Sequence, residues 1–336
     1  MDTVANWFDR RTFTHDQFGS AEELVIAKQA AGLTISACIP TRNEAATIGP
    51  IVRLLRQELV ENVPLLDELT VMDAGSDDDT GAIAAAEGAT VFVERDVLPE
   101  EGQGSGKGEG LWKSVHACTG DILAWVDADI VNFHPRFVTG LVGPLLADRT
   151  IGYTKGFYQR PIRVGANADL HPTEGGRVTE LLARPLLNAF WPALAGLVQP
   201  LSGEFAGRRE LLERIPFYSG YGVELGLLVD ILKEAGIDAI AQVDLERRVH
   251  RNQEIAALSR MSFGILQTAM AHLAEEGRVV DGTWATEYTQ YLQDIHRAPG
   301  ERGWRPATRE LTIARRPPLA KVAGYLRRRD ELTERR

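Results

Sequence analysis

The amino-acid sequence predicts an α/β fold: a mostly parallel, Rossmann-like sheet with helices on both of its faces. Short apolar runs alternate with helical patterns through about the first 150 residues, and strands that alternate with helices form parallel sheets. Hydrophobic residues make up 44% of the 336 residues, which is the balance of a globular protein with a full core. No apolar run approaches the roughly 20 residues of a membrane-spanning helix.

The first half of the chain supplies four predicted strands, at residues 33–40, 69–73, 89–94 and 121–127. Helices are predicted over residues 46–60 and 76–87, where Ser76 and Asp79 resemble a capping box at the start of the second helix. Parallel sheets bind ligands beyond the carboxyl ends of their strands. The residues that follow each strand are therefore the candidates for function.

The second half is less regular. Its predicted strands are 151–157 and 238–244, and its predicted helices are 178–187, 222–235, 254–277 and 284–297. Residues 164–176 are rich in Gly, Asn, Asp and Pro, which predicts a long loop, and long loops in compact domains are often functional. We divide the chain into residues 1–150, 151–260 and 261–336.

Charge and cysteine content narrow the class of protein. The net charge is −10, while residues 301–336 carry 11 Lys and Arg against 5 Asp and Glu. An acidic body argues against nucleic acid as a partner, and we interpret the basic tail as a solvated terminal helix. Cys38 and Cys118 have neither zinc-site nor disulfide spacing, and the first residues lack the pattern of a signal peptide, so we expect a cytoplasmic protein.

Three strand ends carry polar clusters that would meet in one crevice: residues 40–44 (PTRNE), residues 73–80 (DAGSDDDT) and the triplet Asp127-Ala128-Asp129. A diphosphate bound with Mg²⁺ or Mn²⁺ needs one or two carboxylates as metal ligands. An Asp-x-Asp motif alone is a weak signal. The apolar residues 122–126 before it indicate the edge of a buried sheet, and we interpret the pair as a metal site.

The glycine-rich stretch at residues 102–110 fits no standard phosphate-binding motif. Gly108 stands where a Walker A loop has Ser or Thr, and the stretch does not follow the first strand as a dinucleotide fingerprint would. Two interpretations stay open. The stretch brings Lys107 to a phosphate with a helix N-terminus behind it, or it is a flexible surface loop.

These motifs together resemble a family-2-like glycosyltransferase with a GT-A fold, and the second half is similar to the glucosyl-3-phosphoglycerate synthases of actinobacteria. The related mannosyl-3-phosphoglycerate synthases share this scaffold. The blocks that carry the narrower resemblance are GGRVTEL (175–181), ARPL (183–186), QPLSGE (199–204), YGVE (221–224) and VHRN (249–252). Ala128 departs from the family, in which serine is common at this position, and we expect a small effect on nucleotide preference.

The resemblance implies a role for each part of the chain. Residues 1–150 would bind the nucleotide-sugar, residues 151–260 would bind the acceptor and carry catalysis, and residues 261–336 would form a C-terminal helical extension with the basic tail. The implied nucleotide-sugar contacts are Pro40, Thr41, Arg42, Glu44, Ala74, Lys107, Asp127 and Ala128. Asp129 would bind Mg²⁺ or Mn²⁺ with His250 as a second ligand, although a lone histidine is weak evidence by itself.

The implied acceptor is 3-phosphoglycerate, whose carboxylate and phosphate require a local cationic pocket in an acidic protein. Its implied contacts are Gly176, Arg177, Val178, Thr179, Arg251 and Asn252. Arginine binds such groups through two parallel hydrogen bonds, and helix N-terminal amides add donors. Without the resemblance, Arg177 would be interpreted as a helix-surface residue.

The implied reaction is hexose transfer with retention at the sugar carbon. UDP-glucose is the default donor and GDP-mannose is the second candidate. The product would be glucosyl- or mannosyl-3-phosphoglycerate, a precursor of glucosylglycerate- or mannosylglycerate-type solutes or of methylglucose polysaccharide. Glu224 is the candidate nucleophile for double displacement. We favour instead that it holds sugar hydroxyls, with front-face transfer beside the backbone carbonyl of Leu201. We also expect a homodimer, because family members commonly form one.

Two other function classes stay open. A sugar-1-phosphate nucleotidyltransferase also uses a parallel sheet and metal-binding aspartates, but it would have a glycine-rich basic loop where residues 40–44 stand. An inactive nucleotide-sugar-binding scaffold would keep the crevice without catalysis. The presence of Asp127, Asp129, Lys107 and Glu224 argues against the scaffold.

Overall fold

A computed structural model describes residues 2–160, 162–163, 170–171, 176–249, 254–280, 286–294 and 303–334. In chain order the strands are β1 (Thr12–Thr14), β2 (Ile35–Thr41), β3 (Glu68–Asp73), β4 (Thr90–Val93), β5 (Ile122–Trp125), β6 (Tyr153–Gln159), β7 (Ile162–Arg163), β8 (Leu170–His171), β9 (Phe205–Arg208), β10 (Phe217–Tyr218), β11 (Ile240–Arg247), β12 (Glu287–Asp294), β13 (Gly303–Glu310) and β14 (Arg315–Arg316). The helices are α1 (Asp2–Arg11), α2 (Ala21–Ala31), α3 (Ile48–Arg56), α4 (Thr80–Ala86), α5 (Lys107–Ala117), α6 (Arg136–Ala147), α7 (Arg184–Phe190), α8 (Arg209–Leu212), α9 (Val223–Ala235), α10 (Ile255–Glu275) and α11 (Ala323–Glu334).

The central sheet confirms the predicted fold class. Its eight strands lie in the order β1-β11-β6-β9-β5-β2-β3-β4. All neighbouring pairs are parallel except those made by β9, which runs antiparallel to both β5 and β6. The carboxyl ends of the parallel strands therefore share one edge, while β9 enters from the opposite direction.

The core lies on both faces of this sheet, because successive side chains of a strand point to opposite faces. In β2, Cys38 packs into one hydrophobic cluster, with residues of α5 and α9. Its neighbours Ala37 and Ile39 pack into the other, with residues of α3 and α6. A strand covered on both faces shows a nearly continuous apolar run, which is why β2, β3 and β5 could be predicted from sequence.

The start of α4 differs from the prediction. The helix begins at Thr80, and its N-cap residue Asp79 makes no side-chain capping bond. The predicted capping box at Ser76 is wrong, because the backbone N–H and hydroxyl of Ser76 both donate to Asp73 Oδ1, at 2.8 and 2.7 Å. Ser76 therefore shapes the turn after β3.

The helix predicted over residues 284–297 is also wrong. Residues 287–294 form β12, which pairs antiparallel with β13. The Tyr and Thr residues of this segment favour strands, and the Thr289 and Thr308 hydroxyls bond across the hairpin at 2.8 Å. The helix predicted over 178–187 begins instead with a π-helical turn, Thr179–Ala183, before α7. Most of the predicted loop 164–176 lies outside the described residues.

The basic tail is not a solvated helix: it contains β13 and β14, and only its last part, α11, is an α-helix. Tyr325 of α11 is buried, and its hydroxyl donates to Glu213 Oε1 at 2.7 Å. Arg328 donates to the carbonyl of Ala117 at 2.8 Å, and Arg329 pairs with Glu213. The tail therefore packs on the core. No helix in the described part of the chain combines the length and apolarity needed to cross a membrane.

The division at residues 150 and 260 stays a prediction. The central sheet draws strands from both of the first two segments, since β1 pairs with β11.

Candidate active site

A cavity of about 540 Å³ opens at the shared carboxyl edge of the parallel strands, within the size range of small-molecule sites. It brings together most of the residues that the sequence analysis proposed. Those that line it are Pro40, Thr41, Arg42, Glu44, Ala74, Lys107, Asp127, Ala128, Asp129, Gly176, Arg177, Val178, Thr179, Leu201 and Glu224. The residues assigned to donor, acceptor and catalysis therefore face one continuous space.

Three predicted residues, His250, Arg251 and Asn252, lie outside the described residues. The described chain leading to them ends at Val249. This residue lies beside the strand end that carries Asp127 and Asp129, called the acidic pair below. The Val249 N–H donates to Asn132 Oδ1 at 2.7 Å, and the Val249 carbonyl accepts from the N–H of Val131 at 3.0 Å.

Lys107 and Glu224 are paired in the lining of the cavity, each in the first turn of a helix. Lys107 Nζ lies 2.7 Å from Asp127 Oδ1 and 3.1 Å from Glu224 Oε1. Burial alone would lower the pKa of Lys107, but the charges of Asp127 and Glu224 outweigh it and raise that pKa above its ordinary value. Burial alone would raise the pKa of Asp127, but Lys107 and Arg248 hold it well below its ordinary value. Lys107 and Asp127 therefore both stay ionised at neutral pH.

The glycine-rich stretch is packed against the protein, which favours the interpretation as a loop that presents Lys107. A Cβ at Gly108 would lie 1.9 Å from the carbonyl oxygen of Tyr218, so only glycine lets α5 approach that strand. The N–H of Gly220 donates to the carbonyl of Ser105 at 3.0 Å. Gly106, at φ 81°, turns the chain into the helix.

Arg248 is a central residue that the sequence analysis missed. Its side chain is 4% exposed, and Nη2 lies 2.9 Å from Asp127 Oδ2 and 2.6 Å from Asp129 Oδ1. Its Nη1 donates to the hydroxyl of Tyr158 at 2.9 Å. The available signal was its position directly before the VHRN block.

The acidic pair fits a divalent cation by the chemistry of its donors. The carboxylates of Asp127 and Asp129 are the hard oxygen ligands that Mg²⁺ and Mn²⁺ prefer. In this structure the Arg248 guanidinium binds one oxygen of each, so a cation would share these carboxylates with it. In the described part of the chain, no three His, Cys, Asp or Glu side chains come close enough to hold a metal. The carboxylates would therefore need a ligand from outside that set.

The cavity also contains a cationic cluster. Arg160, Arg177 and Arg248 line it, and Arg160 donates to the Tyr158 hydroxyl at 2.7 Å. Gly176, at φ 88°, precedes the helical segment that contains Arg177. This cluster can receive an anion, with guanidinium groups and N-terminal amides as donors.

Leu201 lines the cavity, two residues before a glycine that contacts the acidic pair. A Cβ at Gly203 would lie 2.0 Å from Asp127 Oδ2, so glycine lets the 201–203 segment lie directly against this carboxylate. An apolar part of the lining belongs to α10, which presents Leu258, Met261 and Ile265 to the cavity. The residues of α10 were not among the site residues predicted from sequence.

The chain is similar to known proteins over most of its length. Residues 36–218 match the model of glycosyl transferase family 2. The chain is 47% identical over 316 residues to glucosyl-3-phosphoglycerate synthase of Petrotoga mobilis, covering 94% of this chain and 95% of the relative. It is 44% identical over 298 residues to glucosyl-3-phosphoglycerate synthase of Mycobacterium tuberculosis, covering 88% of each.

Solved structures give the same result. Mannosyl-3-phosphoglycerate synthase from Rubrobacter xylanophilus matches with a TM-score of 0.84 at 37% identity, over 95% of this chain and 98% of that chain. Glucosyl-3-phosphoglycerate synthase from Mycobacterium tuberculosis, in complex with Mn²⁺, UDP and glucosyl-3-phosphoglycerate, matches with a TM-score of 0.77 at 42% identity, over 92% and 98%. The chain therefore belongs to glycosyl transferase family 2 and, within it, to the glucosyl-3-phosphoglycerate synthase family.

Proposed function

We propose that this chain is a metal-dependent retaining hexosyltransferase that moves a hexose from a nucleotide-sugar to 3-phosphoglycerate. The observation that carries the proposal is one cavity lined by both the acidic pair and three arginines, Arg160, Arg177 and Arg248. A relative of the same family was crystallised with Mn²⁺, UDP-glucose and phosphoglyceric acid, and its structure matches with a TM-score of 0.75 at 41% identity.

The nucleotide binds along the ends of β2, β3 and β5, where the loops are held before any ligand arrives. The N–H of Asn43 donates to the Ser76 hydroxyl at 2.9 Å, and the N–H of Glu44 donates to Thr80 Oγ1 at 2.8 Å. Thr41 Oγ1 is buried without a hydrogen-bond partner in the described structure, so a ligand can supply one. The proposed contacts are Pro40, Thr41, Arg42, Glu44, Ala74, Lys107, Asp127 and Ala128.

Asp129 and His250 hold the Mg²⁺ or Mn²⁺ ion in this proposal. The cation would stabilise the negative charge that develops on the leaving nucleoside diphosphate. Lys107 assists at the same end of the cavity, because it is a fixed, charged donor beside Asp127.

The acceptor 3-phosphoglycerate binds to Gly176, Arg177, Val178, Thr179, Arg251 and Asn252 in this proposal. Arg160 and Arg248 support it as additional positive charges on the same cavity. A small ligand with a carboxylate and a phosphate requires such a set, since isolated anions desolvate at great cost.

Glu224 holds the transferred sugar rather than attacking it. Its carboxylate is 5% exposed and lies 3.1 Å from Lys107 Nζ, so the lysine charge weakens it as a nucleophile. It remains suited to accept hydrogen bonds from sugar hydroxyls. Front-face transfer then takes place beside the backbone carbonyl of Leu201.

Location and assembly belong to the same proposal. The free thiols of Cys38 and Cys118 are buried, which suits the reducing cytoplasm. A homodimer is proposed from the family, and sedimentation of the purified chain would test it.

The deciding experiment is an activity matrix of UDP-glucose, GDP-glucose and GDP-mannose against 3-phosphoglycerate, with and without Mg²⁺. We expect metal-dependent hexose transfer, with UDP-glucose as the default donor and GDP-mannose as the second. Release of pyrophosphate from a sugar-1-phosphate and a nucleoside triphosphate would instead identify a nucleotidyltransferase. Binding of nucleoside diphosphate without transfer from any donor would identify an inactive scaffold.

A further inference from the structure

Glu94 lines the cavity, but it is not among the residues proposed above to contact the donor or the acceptor. It directly follows β4, the edge strand of the sheet. The sheet order β5-β2-β3-β4 therefore sets Asp127, Arg42, Ala74 and Glu94 in sequence along one edge. Glu94 stands at the opposite end of this row from the acidic pair.

The carboxylate of Glu94 has an unused acceptor in a fixed position. Its Oε2 is buried and has no hydrogen-bond partner in the described structure. A Cβ at Gly110 would lie 3.0 Å from Oε2 and 3.6 Å from Met72 Cγ, so the missing side chain of Gly110 makes room for this oxygen. Lys113 Nζ donates to the backbone carbonyl of Glu94 at 2.9 Å and fixes the residue.

Two of the cations near Glu94, Arg316 and Lys113, bind another acid. Arg316 binds the buried Glu109 through two hydrogen bonds of 2.7 Å each, and Lys113 Nζ lies 3.4 Å from Glu109 Oε1. A buried acceptor without a partner costs free energy. A ligand that donates to Glu94 would remove this cost.

We infer that Glu94 contacts the hydrogen-bonding edge of the donor's nucleobase and determines whether a uracil or a guanine nucleotide is preferred. The inference rests on the proposed function, in which the diphosphate lies at Asp127 and Asp129. A nucleotide bound along the strand ends from that point directs its base toward Ala74 and Glu94.

The two bases differ in what they offer a carboxyl group. Guanine has two adjacent donors, the ring N1–H and the exocyclic amine, which match the two oxygens of an ionised carboxylate. Uracil has one donor, N3–H, between two carbonyls. An ionised carboxylate meets one of those carbonyls unfavourably, whereas a protonated carboxyl accepts from N3–H and donates to the carbonyl.

Both forms of Glu94 are present near neutral pH. Burial and the nearby charge of Glu109 raise its pKa to about 7, against the opposing effects of Lys113, Arg316 and Arg42. The protonated form prevails below that pH and favours uracil. The ionised form prevails above it and favours guanine.

The test compares kcat/KM for UDP-glucose and GDP-glucose between about pH 6 and pH 8 in the native chain and in Glu94→Gln. In the native chain the ratio of GDP-glucose to UDP-glucose should rise roughly tenfold, the order of one bidentate base contact. In Glu94→Gln the ratio should stay constant at its low-pH value, because the amide has one acceptor and one donor and does not titrate.

Asp96→Asn is the matched control, since Asp96 is an exposed acid in the same turn and does not line this cavity. It should retain the native ratio and its pH dependence. Calorimetric binding of UDP and GDP to the native chain at both pH values, without acceptor, gives a second readout that needs neither a variant nor turnover.

A native ratio that does not change with pH, or a Glu94→Gln ratio equal to the native one at both pH values, would overturn the inference. Absence of transfer from every donor would overturn the proposed function instead. The UDP and GDP binding measurements would still decide the role of Glu94 in that case.

Discussion

At the scale of single residues, the two carboxylates of the acidic pair differ in their partners and in their exposure. Asp127 pairs with both Lys107 and Arg248, whereas the side chain of Asp129 is 30% exposed and, within the described residues, pairs with Arg248. Asp127 is therefore a fixed part of the charge network. Asp129 is the carboxylate that is open to an incoming ion.

Asp129→Ala should abolish metal-dependent transfer while leaving the fold intact. Metal stabilisation of a leaving diphosphate contributes several kcal/mol, so we expect a loss of about a hundredfold or more in kcat. Activity measured against increasing Mn²⁺ tests this, with melting temperature as the folding check. Asp330→Asn, an exposed acid on α11, is the control. Near-normal turnover of Asp129→Ala would remove the metal assignment.

Arg177→Ala should raise KM for 3-phosphoglycerate and leave KM for the donor unchanged. Loss of a buried charge-paired partner costs about 2–5 kcal/mol, which is on the order of thirtyfold or more in affinity. Steady-state kinetics with each substrate varied in turn measure the two constants. Arg214→Ala removes an exposed arginine that pairs with Glu234 and should change neither constant. An unchanged acceptor KM in Arg177→Ala would show that Arg177 is a helix-surface residue that does not bind the acceptor.

Lys155 makes the stability of the protein depend on pH. It is fully buried beside the Phe205 ring, 4.5 Å from its centroid, and Nζ has no hydrogen-bond partner in the described structure. Burial lowers the pKa of Lys155 from 10.5 to about 7. Between these two values the unfolded chain binds more protons than the folded chain, so the free energy of unfolding should rise with pH.

The size of this effect is up to about 1 kcal/mol per pH unit. Urea denaturation at pH 7, 8 and 9 measures it in the native chain and in Lys155→Met. The native stability should rise over this range, and the methionine variant, which has no charge to desolvate, should be more stable at pH 7 and lose that rise. Equal slopes for both proteins would show that another group is responsible.

At the scale of elements, the C-terminal segment fixes the glycine-rich stretch that leads into α5. Arg316 Nη1 donates to the carbonyl of Glu101 at 2.7 Å, while its Nε and Nη2 bind the carboxylate of Glu109. β14, which contains Arg316, pairs with β10 on the other side. The position of Lys107 therefore depends on a residue more than two hundred positions further along the chain.

Arg316→Ala should destabilise the protein and weaken donor binding together. Among the described residues it leaves the buried Glu109 paired with Lys113 alone, and breaking a buried ion pair costs about 3 kcal/mol or more. Denaturation midpoints and KM for the nucleotide-sugar are the measurements. Arg309→Ala, an exposed arginine on β13, is the matched control. A variant that loses stability but keeps the donor KM would contradict the prediction, because it would show that Arg316 stabilises the fold without positioning the loop that binds the donor.

At the scale of the whole molecule, the sequence predicted those site residues that directly follow a strand, because an apolar run marks where the strand ends. The apolar run before Asp127 indicated a buried strand end, and β5 confirmed it. Arg248 could not be found in the same way, because it reaches Asp127 and Asp129 only through the pairing of β11 with β6. Glu94 likewise joins the cavity only through the position of β4 at the sheet edge.

The failed predictions have the same physical cause. Residues 287–294 form a strand because β13 supplies the opposite half of a hairpin, and propensity within one segment does not specify its partner. The tail was interpreted as solvated from its charges, yet its apolar positions recur at helical spacing. In both cases tertiary contacts, which the local sequence does not specify, determine the secondary structure or the burial of the segment.

Removal of residues 313–336 should therefore unfold or strongly destabilise the protein. The deletion takes away the buried side chains of Leu319, Val322 and Tyr325, and each fully buried side chain of this size contributes roughly 1.5–3 kcal/mol. The expected loss of about 5 kcal/mol or more, before the loss of Arg316 is counted, is comparable to the whole stability of many domains.

Deletion of residues 330–336 is the control, because it keeps all of these contacts. Since α11 covers Glu213 and the end of α5 rather than the cavity itself, the longer deletion should abolish transfer by way of unfolding. A truncated chain that melts at the native temperature would show instead that the tail is dispensable to the core.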